Sequence, residues 1–201
     1  MDELEALLSG GSALKEAEHI LPFFKARPHL VAGIGLTTYG IDLPDLYASE
    51  LDLFGDFAAD AAVAENQSNT CTLIEFEDAR ENSIFKPLTS GKTMRPWSPR
   101  FERGFSQLAD WAWRLATETH HSEAFVRIFG QPQPTLDFLL IIGRDHDLTL
   151  ADLKRLKWRA DRITLDHHRM RVMTFDGVLK SIRRKLVVAD QLQPADNPSS
   201  T

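Results

Sequence analysis

DFAADAAVAENQSNTCTLIEFEDA, residues 56–79, carries the clearest strand and turn signals in the chain. At its centre Asn66-Gln67-Ser68-Asn69 has turn chemistry and lies between two flanks of strand length, which predicts a β-hairpin. The second flank, 70–79, is rich in β-branched and aromatic residues. The first, 56–65, is rich in alanine and is the weaker strand former. Side chains of equal parity share one face of a strand. Asp56 and Asp60 therefore point one way, and Glu75 and Glu77 share a face of the second strand. Thr72, Ile74 and Phe76 take the opposite face, which suits a core. Pairing symmetric about residues 67 and 68 sets Asp60 opposite Glu75 and Ala58 opposite Glu77. Asp56 then lies one diagonal step from Glu77. Carboxylates converging on one sheet face repel one another, so their presence asks for a reason. A divalent cation is one: Mg²⁺ or Mn²⁺ needs only two or three carboxylates plus water and a substrate phosphate. Such an ion polarises a phosphodiester and activates a water. An exposed hairpin face that is merely acidic is the other.

Residues 12–26 read as a helix starting at Ser12, with Pro22 set to kink or divide it. A Gly-containing loop is expected from Val31 to Gly40, and a short strand over 46–51. Residues 80–99 hold Pro87, Gly91, Pro96 and Pro99 among polar residues and read as a long loop. Phe105, Leu108, Ala112 and Leu115 recur at helical spacing, so 100–119 is a helix. TLDFLLII, residues 135–142, is an apolar run of strand length, as in a strand buried on both faces. A helix capped by Thr149 over 149–161, a short strand over 170–174 and a basic helix over 176–186 follow. Strands that alternate with helices after a hairpin predict an α/β fold, a mixed sheet flanked by helices. Residues 1–188 are read as one domain, and 189–201, dominated by Pro, Asn, Ser and Thr, as a disordered tail.

The chain of 201 residues carries a net charge of −6, unevenly spread. Residues 1–78 hold 15 acidic and 3 basic side chains, whereas 143–186 hold 6 and 12. A basic half suits phosphates and an acidic half suits a cation. The single cysteine, Cys71, excludes an intramolecular disulfide and a cysteine zinc site. No apolar run is long enough to span a membrane, and the acidic start lacks a secretory signal's basic region. The chain is accordingly read as a cytoplasmic protein. His120-His121 and His167-His168 are adjacent pairs whose side chains diverge, which argues against zinc. Arg144, directly after the apolar strand, is placed either to meet a phosphate or to pair with Asp145 or Asp147. No phosphate-binding Walker loop and no nucleophile elbow occur.

Asp56-Phe57, then Glu75-Phe76-Glu77, then Gln107 in a helix, resembles the PD-(D/E)xK nuclease pattern. GDFAAD (55–60), LIEFEDARENSIF (73–85), WSPRFERGFSQLADWAWRL (97–115), LIIGRDHDLT (140–149) and VMTFDGVL (172–179) together look like the Shedu-type anti-phage nuclease domain. The resemblance covers roughly residues 15–187 and implies a restriction-endonuclease-like sheet with a metal site on one edge. By it, Asp56, Glu75 and Glu77 are metal ligands for Mg²⁺ or Mn²⁺. The catalytic set is Asp56, Glu75, Glu77 and Gln107, and the substrate is DNA. Gln107 falls in Gln-x-x-x-Trp ending at Trp111, one helical turn on, and is expected to hold the attacking water or a phosphate. The resemblance also implies homo-oligomers; independently, exposed apolar surface around Trp97, Trp111, Trp113 and Trp158 would suit a structural or assembly protein, a further alternative function. The usual motif ends in lysine where this chain has Glu77, so Lys86 or Lys92 is expected to supply the cation. Asp60 is an alternative to Asp56, and Glu16 an outer carboxylate. A module that has kept the nuclease fold but only binds nucleic acid or a protein is the alternative function.

Overall fold

The computed structural model describes residues 1–191, apart from 12, 119–121, 131–132 and 166–167. Helix α1 spans Asp2–Ser9, strand β1 Ala13–Leu14, helix α2 Leu21–Lys25 and helix α3 Pro28–Gly35. Strands β2 (Leu46–Leu53), β3 (Phe57–Glu65), β4 (Thr70–Phe76) and β5 (Ala79–Arg80) follow. Then come α4 (Pro99–Thr117), α5 (Glu123–Phe129), β6 (Thr135–Ile141), α6 (Leu150–Arg162), β7 (Thr164–Leu165), β8 (His168–Met173) and α7 (Phe175–Gln191). Six strands form one mixed sheet in the order β2-β3-β4-β6-β8-β7, and β1 pairs with β5 in a separate two-stranded ribbon. This is the mixed α/β architecture that the hairpin and the alternation predict.

The hairpin register is the symmetric one: Ala61 faces Ile74 and Glu65 faces Thr70 in antiparallel pairing. β4 then pairs parallel with β6, from Thr70 beside Thr135 to Phe76 beside Ile141, and β6 pairs parallel with β8. Because helices cover both faces, every residue of β4 is buried, as expected of central parallel strands. On one face Ile74, Phe76, Leu139 and Ile141 pack with Phe24, Val31, Phe175 and Ile182. On the other, Leu73, Phe138 and Leu140 pack with Phe105, Leu108, Trp111 and Leu156. Phe24, Phe76 and Phe175 form a three-ring cluster, with Phe76 stacked on Phe24 at 4.4 Å and Phe175 6.3 Å from both.

Several local expectations need correcting. Residues 12–26 are not one helix: β1 is followed by a π-helical turn, Glu16–Ile20, and then by α2. Pro22 sits in the first turn of α2, where its missing N–H deprives the helix of nothing. Ser12 lies outside the described residues. The loop expected over 31–40 begins instead as α3, because Leu30, Val31 and Ile34 bury an apolar face that outweighs the low helix propensity of Gly33 and Gly35. α1 and α5 were not expected. α5 nevertheless carries both end signals, a Ser122 cap on the Phe125 N–H and Gly130 with φ 72°. The first three residues of the expected tail continue α7, and 192–201 lie outside the described residues. The Thr149 cap is present as a full capping box with Asp152. Of the four tryptophans, Trp111 is buried and Trp97 stacks between Phe85 and Phe101, while Trp113 and Trp158 are exposed. No helix among the described residues is long and apolar enough to cross a membrane.

Close approach of α3 to β3 rests on Gly35, where an added Cβ would meet Val63 Cγ1 at 2.4 Å. We expect Gly35→Ala to destabilise the fold by about 1–3 kcal/mol in urea unfolding, the usual cost of overpacking. Unchanged stability would show that α3 is free to lift from the sheet.

Candidate functional site

The β3–β4 ladder ends at Ala61 and Ile74, and the carboxylates begin there. Instead of another backbone carbonyl, Asp60 Oδ2 accepts the Phe76 N–H at 2.8 Å. Beyond β4 the chain continues along β6, with the Glu77 N–H donating to the Ile141 carbonyl at 2.9 Å. Glu75, Glu77 and Asp78 are therefore carried inside, at 4%, 1% and 2% exposure. The Asp60 and Glu75 carboxyls interact directly, and Glu75 Oε2 is buried with no hydrogen-bond partner. A buried carboxyl oxygen without a partner is costly, which makes this atom a candidate ligand contact.

Glu77 has a different partner. Arg100, in the first turn of α4, places Nη1 2.8 Å from Glu77 Oε2 and 3.2 Å from Glu16 Oε2, with Nε 3.0 Å from Asp78 Oδ2. Arg80 Nε meets the same Asp78 oxygen at 2.7 Å, and the Glu16 N–H donates to Asp78 Oδ1 at 2.8 Å. Ser98 fixes where α4 starts, its hydroxyl capping the Phe101 N–H at 3.0 Å. Gly104 lets the helix press on the site, since a Cβ there would lie 2.9 Å from Leu140 Cδ1 and 3.2 Å from Glu77 Cγ. One turn on, Gln107 is half-buried on the same stripe as Gly104 and Trp111. Its side chain makes no hydrogen bond to the described residues.

The electrostatics follow from burial. Desolvation first, and then the neighbouring Asp60 charge, push the Glu75 carboxyl far above the usual carboxylate range. Asp60 is raised chiefly by burial, against the pull of the Phe76 N–H. Burial pushes Glu77 up to about 7, opposed by Arg100. One side of the site is thus an acid pair with too little positive charge, and the other is a guanidinium holding three carboxylates. Among the described residues, no three or more His, Cys, Asp or Glu side chains are preset as a metal cage.

The structure brings Asp60, Glu75, Glu77 and Glu16 together and leaves Asp56 out. Asp56 lies in the turn before β3, 61% exposed, with Arg114 Nε 2.6 Å from its Oδ2. Its strand parity fails because β3 begins one residue later, at Phe57. Lys86 and Lys92 are exposed and contact none of these carboxylates. Arg144 is structural: it binds Asp176 at 2.9 and 3.0 Å and the Leu8 carbonyl at 2.7 Å. His168 Nδ1 lies 2.9 Å from the Leu136 carbonyl oxygen, and His120, His121 and His167 lie outside the described residues. Arg100 and Asp78 escaped the sequence reasoning. The signal for Arg100 was Ser98-Pro99-Arg100, a cap and a first-turn proline followed by a cation, which fixes the arginine at a helix start.

The sequence model of the family described as Shedu protein SduA, C-terminal, matches residues 14–179. No curated protein matches the chain.

A carboxyl whose pKa rises on folding binds its proton more tightly folded than unfolded. Its contribution to stability is full below the unfolded value and is lost as pH rises through the folded one. With Glu75, Asp60 and Glu77 all raised, the melting temperature in chelator should fall between pH 5.5 and 8.5. Glu75→Gln should flatten that slope and stabilise the protein at pH 8 by about 1–3 kcal/mol. An unaltered slope in the variant would remove Glu75 as its source.

Proposed function

The chain belongs to the Shedu protein SduA C-terminal family, and from that premise we propose that it is a metal-dependent nuclease domain hydrolysing DNA phosphodiester bonds in anti-phage defence. The observation that carries this reading is the acid pair at the end of β4, with its unpartnered Glu75 oxygen. Hard oxygen ligands of raised proton affinity, in a site short of positive charge, fit Mg²⁺ or Mn²⁺. Glu75 and Asp60 would hold the ion, with Glu77 beside them, and Asp60 takes the place that the motif order gives to Asp56. Bound there, the ion would polarise the scissile phosphodiester and lower the pKa of an attacking water. Glu77, held near neutrality in its proton affinity, is suited to take that water's proton. Gln107, half-buried one turn along α4 from Gly104 with its amide uncommitted among the described residues, would orient the water or a phosphate oxygen. Arg100 supplies the cation that the motif usually draws from lysine, reaching Glu77 from α4 rather than from β4.

The Glu77–Arg100 contact also favours a second reading, a module that binds nucleic acid or a protein without cutting it, because a carboxylate already held by a guanidinium has less to offer an ion. Incubating linear and circular DNA with Mg²⁺ or Mn²⁺ separates the two. We expect wild type to cleave, Glu75→Gln to lose about 100-fold or more, and Asp56→Ala to stay within about twofold. No cleavage by wild type and no metal binding by calorimetry would leave the binding module. A large loss in Asp56→Ala with Asp60→Asn unaffected would return the ligand role to Asp56.

A further inference from the structure

Beside the carboxylates lies a cleft of about 480 Å³ that the nuclease reading has not used, lined by Arg80, Asn82, Ser83, Ser98, Arg100 and Arg103, with Pro99 and the exposed Glu81 completing its wall. Its small polar groups are committed to structure. Ser83 Oγ donates to the Arg80 carbonyl at 2.8 Å, and Ser98 Oγ donates to the Ser83 carbonyl. Asn82 accepts from Arg95 at 3.0 Å, and its N–H donates to Asp147 at 2.8 Å. These bonds hold the wall rigid. The guanidiniums, by contrast, keep donors in reserve. Arg80 spends only Nε, on Asp78. Arg100 spends Nε and Nη1 and keeps Nη2. Arg103 is exposed and has no partner among the described residues. Three planar donor groups on a rigid, solvent-open wall are suited to a tetrahedral anion that accepts from several directions at once. The same Arg100 that faces the cleft holds Glu77, so an anion bound there sits next to the acidic centre. Unspent arginine donors abutting an acidic centre fit a polyanion with one group in each better than they fit a single small ion.

The geometry points to this cleft as a subsite for a backbone phosphate of the nucleic-acid strand, adjacent to the phosphate at the carboxylates, with Arg103 and Arg80 as its free donors and Arg100 as the link between the two. This rests on the nuclease reading and specifies how the strand is held. It concerns binding, so it is testable without turnover.

The experiment is equilibrium binding of a short labelled duplex to the full chain in chelator, across a range of salt concentrations, alongside cleavage in Mg²⁺. Wild type is compared with Arg103→Ala and with Arg184→Ala, an exposed arginine on α7, as control. We expect Arg103→Ala to weaken binding about 5- to 10-fold and to reduce the slope of log affinity against log salt by about 0.9, one phosphate contact. Arg184→Ala should change neither. Arg80→Ala should act in the same direction as Arg103→Ala but also lower the melting temperature, because it strips the buried Asp78 of a partner, so Arg103→Ala, whose melting temperature should not change, carries the test. If wild type binds and cleaves DNA but Arg103→Ala matches it in affinity and slope, the subsite is overturned and the nuclease reading stands. If inorganic phosphate shifts the melting temperature of wild type but not of Arg103→Ala, while the duplex does not bind, the cleft takes small anions and the strand assignment is overturned. A poly-glutamate peptide binding as tightly as the duplex, with the same loss in Arg103→Ala, would assign the cleft to an acidic protein instead. Loss of both DNA binding and cleavage from wild type itself would remove the nuclease reading and this inference together.

Discussion

The end of β4 is possible because of one guanidinium. Three carboxylates, Glu16, Glu77 and Asp78, converge within 3.2 Å of Arg100 nitrogens. Two of them are almost wholly inside the protein. Buried acids without a counter-charge either take up protons or open the fold. Arg100 supplies that charge, and being planar and permanently protonated it does so with several donors at fixed angles. Removing one partner of such a cluster leaves the rest uncompensated, which is why buried pairs are costly to break even when they add little net stability.

Much of the neighbouring architecture holds Arg100 in place. Its position follows from where α4 begins, and that is set by the Ser98 cap and by the hydroxyl's second bond to the Ser83 carbonyl. The long loop before it is tied down by Arg95, which donates to the Lys86 and Phe85 carbonyls at 2.9 and 3.0 Å and to the Asp147 carbonyl at 2.7 Å. Trp97 fills the space between Phe85 and Phe101 at 4.4 and 4.6 Å, with Arg155 and Arg159 over its ring. The two ends of the segment are tied together, with the Lys86 N–H donating to the Pro96 carbonyl at 2.8 Å and the Ser98 N–H to the Ile84 carbonyl at 3.0 Å, and its aromatics pack against α4 and α6. That rigidity lets a side chain from a helix stand reliably against one from a strand.

The sheet was legible in the sequence because its signals are local. The turn tetrapeptide fixes the hairpin register, and TLDFLLII is too apolar for anything but a covered strand. The capping box at Thr149 is a four-residue motif that needs no tertiary context. What stayed hidden was tertiary. α3 forms because Leu30, Val31 and Ile34 find a sheet to cover, which no propensity records. Parity placed Glu75 and Glu77 together correctly, but it carried Asp56 along with Asp60 by assuming a strand one residue longer than the one that forms. Arg100 was invisible as a partner because it is 23 positions from Glu77, and only the packing of α4 on β6 closes that gap.

The stack of Phe24, Phe76 and Phe175 bears on the order in which the chain is made. Glu75 emerges from the ribosome long before β6, which flanks β4, and before Phe175, which completes the aromatic cluster on the other face of β4. Until residues 135–175 have been added, Glu75 and Glu77 lack β6, the strand beside which they are buried. The perturbed acid pair is therefore among the last features to form during synthesis, and incomplete chains released early carry its residues without its chemistry.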